Sequence, residues 1–502
     1  MTSRPRWTAA ALAVAAASLA ACTAAPRPAR TGPLRVGLFA APLSLDPHLE
    51  AEFLTAAVLA NVFEGLTSLD GAMRVQPMLA VSWDTPDPLT WRFRLRHGVR
   101  FHDGRPVGAR DVAWSLERAR RHPHSSVAHY LADVAELRVA APDVIEIRTE
   151  ASTSLLLNRL AFVAIVPEGS PAQIRSPIGT GPYGLATEGF PEVLTLRRSD
   201  LYWGPRPTEP VVQMLVVKEA VRLREMLLSG ALDVSLSPTP EEAERMRAEP
   251  CCRVVARPSV VIEVLQCRVD RPPFDDLRVR RAVNLALDRP LHVARVLRGW
   301  GEPASQLASP GTVGFAPSIR TPERDLVEAR RLLAAAGHPH GLSATLDFRE
   351  DRRADEIRRQ LGEAGIELTL RPSPWAEVLG RVRSGEAQLY YGAFTADTGD
   401  AGDILDSAVH TPQPGAGLGV ANHFGYSSPE VDGLLLAART APTLLDRRRA
   451  LQRAMERVMA DLPMVPVAVP YDLYVVRHDV RWTPRLDGRV LAAELAREPE
   501  QP

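Results

Sequence analysis

Residues 63–118 read FEGLTSLDGAMRVQPMLAVSWDTPDPLTWRFRLRHGVRFHDGRPVGARDVAWSLER, and this stretch decides the fold. Trp91, Phe93 and Leu95 alternate with Arg92, Arg94 and Arg96, the period of a strand with one apolar face and one wet face. His97-Gly98 turns the chain, Val99 and Phe101 resume the alternation, and Asp103-Gly104 ends it with a dipeptide that tolerates positive φ. From Gly108 the period changes. Val112 and Leu116 stand at i and i+4 beside Ala109 and Ala113, and Asp111 lies in the first turn, where the helix dipole favours an acid. The order is strand, turn, helix.

The remaining composition narrows the function by exclusion. A chain of 502 residues suffices for two or three domains. Basic and acidic residues balance at 60 each, so no global field points to nucleic acid. Lys218 is the single lysine. It follows Val216-Val217, which excludes a phosphate-binding P-loop, and Leu215 stands where a serine β-lactamase or transpeptidase needs its serine. No G-x-S-x-G or H-E-x-x-H marks a hydrolase. The G-x-G-x-x-G within PIGTGPYG, 177–184, is broken by Pro182 and leads into the alternating Val193–Leu196 rather than a helix, so it is not a dinucleotide loop.

The first residues form an export signal. Arg4 and Arg6 precede an apolar run from Thr8 to Ala21 that is short for a spanning helix. It ends in Leu19-Ala20-Ala21-Cys22, similar to a bacterial lipobox, in which Cys22 receives lipid and becomes the mature N-terminus. Thr23 to Thr31, with Pro26 and Pro28, is a tether. Of the other cysteines, Cys251-Cys252 and Cys267 flank a pair of strands joined at Pro258-Ser259. A disulfide from Cys267 to Cys251 or Cys252 and three free thiols both fit that reading, whereas no metal-ligand spacing is present. His122, His124 and His129 lie in a Pro-broken loop, open to either a metal or a solvated role.

The strings FEGL (63–66), WRFRLRHGVRFHDGRP (91–106) and DVAWSLER (111–118) resemble the signatures of the family 5 extracytoplasmic solute-binding proteins, the peptide, nickel and oligopeptide binders of ABC importers. Gly108 departs from the Thr or Ser that relatives place there, although glycine also serves as a cap. SLDPH (44–48), GTGPYG (179–184), YWG (202–204), LLSGALD (227–233), PPFDD (272–276), GYSSPEVD (425–432) and DLPMVP (461–466) extend the likeness over nearly the whole mature chain. The resemblance implies a two-lobed, type II periplasmic-binding-protein-like α/β fold with an additional small α/β domain and a hinge. The expected organisation is signal 1–22, tether 23–33, first-lobe segments 34–50 and 176–260, inserted domain 51–175, second lobe 261–469, and a return and tail over 470–502.

The second half carries a βαβαβ pattern. Leu326, Ala329, Leu333 and Ala336 share a helix face that Gly337 closes. Ala344, Leu346 and Phe348 alternate; Ala354, Ile357, Leu361 and Ala364 form a second helix closed by Gly365. Ile366 to Leu370 is a strand, Trp375 to Val382 a helix and Leu389 to Phe394 a strand, the mark of a parallel sheet. Beyond it lies TADTGDAGD, 395–403, with three carboxylates in seven residues. That loop suits an ammonium group, a hard cation or plain solvation, although its spacing departs from an EF-hand loop. By resemblance, Asp397 stands where relatives bind a peptide's α-amino group, with Thr395 opening the loop. Trp375, twenty-two residues earlier, and Phe394 match cleft aromatics or are core. Phe53 follows SLDPH, where relatives touch substrate, and Arg349 is a candidate for the peptide carboxylate. AGDI, 401–404, replaces the family's P-D-N-F.

The expectation is an exported, lipid-anchored, monomeric receptor that closes on a di- or oligopeptide and delivers it to an ABC permease with its ATPase subunits. It uses no cofactor and no metal and performs no catalysis. Nickel chelates, haem and sugars are the rival ligands, and an exported hydrolase is the rival class.

Overall fold

The computed structural model describes residues 32–50, 52–186 and 188–498; Cys22, the leader and most of the tether lie outside them. One long strand, Met464–Arg477, organises the molecule. Its first part pairs with Val261–Cys267, and its second part with Cys252–Pro258 and Val234–Leu236. A single twelve-stranded sheet therefore runs through both lobes. The apolar run MVPVAVP followed by YDLYVV has no exposed position, as expected of a strand covered on both faces.

On the second-lobe side, Val261–Cys267 pairs with Leu389–Thr395, which runs parallel to Leu342–Arg349, and that strand runs parallel to Ile366–Ser373. Helices Asp355–Ala364 and Trp375–Ser384 connect these strands, so the expected βαβαβ unit is present. Gly365, at φ +94°, closes the first of these helices. Its carbonyl would lie 2.3 Å from a Cβ on Gly341, so both strands start from a backbone contact that only glycine permits.

On the first-lobe side, Leu34–Leu38 runs parallel to Val211–Val216 and Val234–Leu236. Helix Phe53–Leu59 packs Leu54, Val58 and Leu59 into the core of this lobe. A separate antiparallel sheet is made of Ala80–Asp87, Thr90–Leu95, Val144–Thr149 and Val134–Ala141. Phe93 and Leu95 point inward as their alternation requires and meet Val112 and Leu116 of helix Ala109–Arg121. Asp111 accepts the Gly108 N–H at 2.9 Å, which supplies the cap that glycine lacks. Val99 and Phe101 are buried, but only Arg100 forms a bridge, to Pro106, so no second strand develops there.

Three signature strings turn out to be locks between elements. Arg118, from DVAWSLER, pairs with buried Asp46 of SLDPH at 2.5 Å and contacts His48 Nδ1 at 2.8 Å. Burial first, and then the Arg118 charge, hold His48 down at a pKa of about 4, so it stays a neutral hydrogen-bonding ring. In GTGPYG, a Cβ on Gly179 would lie 2.0 Å from the Val62 carbonyl oxygen, which explains the glycine without any phosphate.

The cysteine expectation is corrected. Cys252–Pro258 and Val261–Cys267 do not fold back on each other; both pair with Met464–Arg477 and lie in line along it. Cys252 is thereby opposite Arg477 in the first lobe, Cys267 is opposite Leu389 in the second, and all three thiols are free.

Candidate functional site

The two lobes are joined where Met464–Arg477 passes the turn at Ser259. The Ser259 N–H and hydroxyl both donate to the Pro470 carbonyl, at 3.1 and 2.8 Å, pinning the two crossings together. Beside this junction lies a cavity of about 520 Å³, of the size that takes a small ligand. Helix Phe53–Leu59 forms one side, Tyr130 and Phe162 of the small domain another, and the loop after Leu389–Thr395 faces them from the second lobe.

Three of the residues nominated from the sequence meet here: Phe53, Thr395 and Asp397. The other three lie elsewhere. Phe394 alternates away from Thr395 and packs against the second-lobe core. Trp375 stands 46% exposed at the start of its helix, against Tyr390 at 6.2 Å between ring centroids. Arg349 is exposed and pairs with Asp351 at 2.7 Å.

The acidic loop does not present its three carboxylates to one ammonium or cation, which corrects the reading of 397–403 as a shared site. Asp400 is buried and clamped by Arg447 at 2.7 and 2.8 Å. Asp403 turns inward and accepts the Thr398 N–H at 2.7 Å and its hydroxyl at 2.9 Å. Burial, and then the nearby Asp400, push its pKa up to about 7. Only Asp397 opens into the cavity. It makes no hydrogen bond among the described residues. Burial by the surrounding walls raises its pKa, and the nearby Arg489 guanidinium opposes that rise.

The cavity is acidic for a different reason: Glu50, Glu64, Asp472 and Asp487 join Asp397 from four other places in the chain, while Arg489 is the one lining cation among the described residues. Glu64, of FEGL, accepts from Thr180 at 2.7 Å, Trp203 Nε1 at 2.9 Å and Tyr202 at 3.3 Å. Burial outweighs those donors and brings its pKa up to about 7. FEGL, GTGPYG and YWG thus converge on one buried carboxylate. Arg489 stacks its guanidinium 4.9 Å from the Phe162 ring centroid and has no ion pair among the described residues. Sequence reasoning missed Asp472 and Arg489. The former carried a signal, being the sole acid in a fourteen-residue apolar strand; the latter carried none. Among the described residues no group of three His, Cys, Asp or Glu is able to hold a metal ion, so neither the histidine loop nor 395–403 forms such a centre. Nor is any described helix long and apolar enough to cross a membrane.

Comparison with known proteins agrees with this architecture. The model of the bacterial extracellular solute-binding proteins, family 5 Middle, matches residues 74–415. The glutathione-binding protein GsiB of Escherichia coli (strain K12) is 27% identical over 449 residues, which are 85% of this chain and 86% of GsiB. HbpA2 from Haemophilus parasuis superposes with a TM-score of 0.84 at 21% identity, covering 93% of this chain and 100% of that one. The periplasmic binding protein DppA from Helicobacter pylori, in complex with the peptide STSA, gives 0.76 at 23% identity, covering 92% and 98%. With the family model matched over more than half its length and a two-lobed α/β fold around one interlobe cavity, the chain belongs to the family 5 bacterial extracellular solute-binding proteins.

Proposed function

We propose that this protein is the receptor of an ABC importer, capturing short peptides between its lobes and passing them to the permease and its ATPase subunits without chemical change. The observation that carries this reading is that Asp397 and Arg489, charges of opposite sign, both line the cavity with no ion pair among the described residues. An unblocked peptide carries the complementary charges, an ammonium for Asp397 and a carboxylate for Arg489. Thr395 and Phe53 flank the bound chain, with backbone groups and water meeting the rest of it. A glutathione-binding relative and a peptide-bound structural neighbour support a ligand of this kind.

Closure supplies the coupling. A ligand touching both lobes stabilises only the state in which they approach, and the differential contact is what shifts the equilibrium. The radius of gyration from small-angle scattering is therefore expected to fall when a saturating unblocked tripeptide is added, with the protein remaining a monomer. No change at saturation would count against a hinged receptor.

The anchor is proposed from the sequence. Mature protein from its own host is expected to begin at Cys22, carry several acyl chains and partition with membranes, because one chain anchors only marginally. Cys22→Ser is expected to be released or to retain its leader, as fractionation and N-terminal mass spectrometry would show. Wild-type protein that is wholly soluble with an unlipidated N-terminus would remove the anchor from the proposal.

A further inference from the structure

Asp472 is the sole acid of its strand. It lies in the strand that joins the lobes, between Tyr471 and Leu473, and it lines the cavity. No described residue gives it a hydrogen bond or an ion pair. Arg257, opposite it on the neighbouring strand, donates instead to the Pro484 carbonyl at 2.6 Å. The neighbouring acid, Asp487, is occupied by Arg485 at 2.9 Å. Asp472 Oδ2 lies 3.3 Å from where a Cβ on Gly488 would stand, and the Phe53 ring edge comes within 3.0 Å of the same point, so the carboxylate and the aromatic ring border one corner of the cavity. Burial and then Asp487 push the Asp472 pKa up to about 6. A carboxylate withdrawn from water without a partner is unfavourable unless a ligand supplies the missing cation.

The balance of the whole cavity points the same way. Among the described residues five acids line it against Arg489 alone, and of the five only Asp487 has an ion pair, with Arg485. A neutral peptide, with one ammonium and one carboxylate, would satisfy Asp397 and Arg489 and leave Asp472 desolvated and unpaired. We propose that Asp472, backed by Asp487 and flanked by Phe53, is a second cation subsite, selecting peptides that carry a lysine or arginine side chain in addition to the terminal ammonium. The methylene stem of such a side chain packs on the Phe53 ring while its charged end reaches the carboxylate. This rests on the peptide reading above, with Asp397 and Arg489 taking the termini.

The test is calorimetric titration of wild type and Asp472→Asn with Ala-Ala-Ala, with the three tripeptides bearing one lysine, and with the three bearing one glutamate. At least one lysine peptide is expected to bind wild type about tenfold or more tighter than Ala-Ala-Ala, and its glutamate counterpart more weakly. Asp472→Asn is expected to abolish that advantage and to bind Ala-Ala-Ala at least as tightly as wild type does, because the charge that a neutral peptide leaves unpaired is gone. Its thermal midpoint without ligand should be at or above that of wild type, since an uncompensated charge is removed. Equal affinity for the lysine, alanine and glutamate peptides in wild type overturns the subsite but leaves the peptide reading standing, and so does a lysine preference that survives in Asp472→Asn. If no tripeptide binds, the peptide reading fails and cadaverine decides the subsite: binding lost in Asp472→Asn supports it, and absence of binding overturns it.

Discussion

Asp397→Asn is expected to bind an unblocked tripeptide about thirtyfold or more weakly than wild type does. The carboxylate faces a cavity between two lobes and has no hydrogen bond among the described residues, so a ligand ammonium is its natural counter-charge. Truncating one partner of such a desolvated pair costs roughly 2–5 kcal/mol, whereas an exposed pair is worth about 1 kcal/mol or less. At about 1.4 kcal/mol per decade, the lower bound of the first range already gives about thirtyfold. N-acetylating the peptide should weaken binding to wild type to a similar extent, and combining both changes should not double the loss, because each removes the same interaction. The raised pKa of Asp397 gives a sign for pH. An ammonium binds the ionised form, so affinity falls as pH drops through that raised value. Trp375→Ala and Arg349→Ala serve as controls, since neither lines the cavity. Unchanged affinity of Asp397→Asn in titration calorimetry would remove the peptide assignment and bring neutral ligands forward.

How much of this was legible in the sequence depends on how local the cause is. The strand through Trp91, Phe93 and Leu95 and the βαβαβ unit were readable because period-two and helical alternations are set by residues adjacent in the chain. The cavity was not, because its walls come from helix Phe53–Leu59, the small domain, the turn at Ser259, the loop at Asp397 and the tail at Arg489. The three acids of 397–403 look equivalent as a string. Their fates diverge through partners: Arg447, far along the chain, takes Asp400; Thr398 takes Asp403; Asp397 is left to the cavity. Strand alternation itself separates Phe394 from Thr395, since adjacent residues of a strand face opposite ways. That rule, applied to the last strand of the βαβαβ unit, would have placed Phe394 in the core. The cysteine pairing failed for a related reason. Two strands joined at Pro258-Ser259 suggest mutual pairing, whereas both are captured by the single long strand Met464–Arg477 and lie end to end.

The largest expected loss of stability lies one turn away from the ligand site, at Asp400. Arg447 is the only described side chain donating to it, through Nε and Nη2, while the Gly402 N–H donates to Oδ1 at 2.7 Å. Both side chains are 1% exposed. Arg447 also donates to the Ala438 carbonyl at 2.9 Å, so the guanidinium ties the acidic loop to the two C-terminal helices of the second lobe, Pro429–Arg439 and Leu444–Asp461. Gly402 completes the fit, because a Cβ there would come within 2.4 Å of Arg447 Nη2. Breaking such a pair from one side leaves the other charge buried without compensation, a loss of about 3–5 kcal/mol, although the intact pair need not outperform a neutral replacement. Arg447→Met is therefore expected to destabilise the second lobe by about that amount, and Asp400→Asn/Arg447→Met by clearly less than Arg447→Met alone, because the asparagine keeps an acceptor for Gly402 and leaves no orphaned charge. Urea unfolding, read alongside hydrogen exchange of amides in 398–405 and 444–461, measures both quantities. The effect on binding should be indirect, with Arg447→Met loosening the loop that positions Asp397 while leaving its carboxylate in place. Equal stability of wild type and Arg447→Met would mean that water reaches Asp400, and the loop would then owe its shape to Thr398 and Asp403 instead.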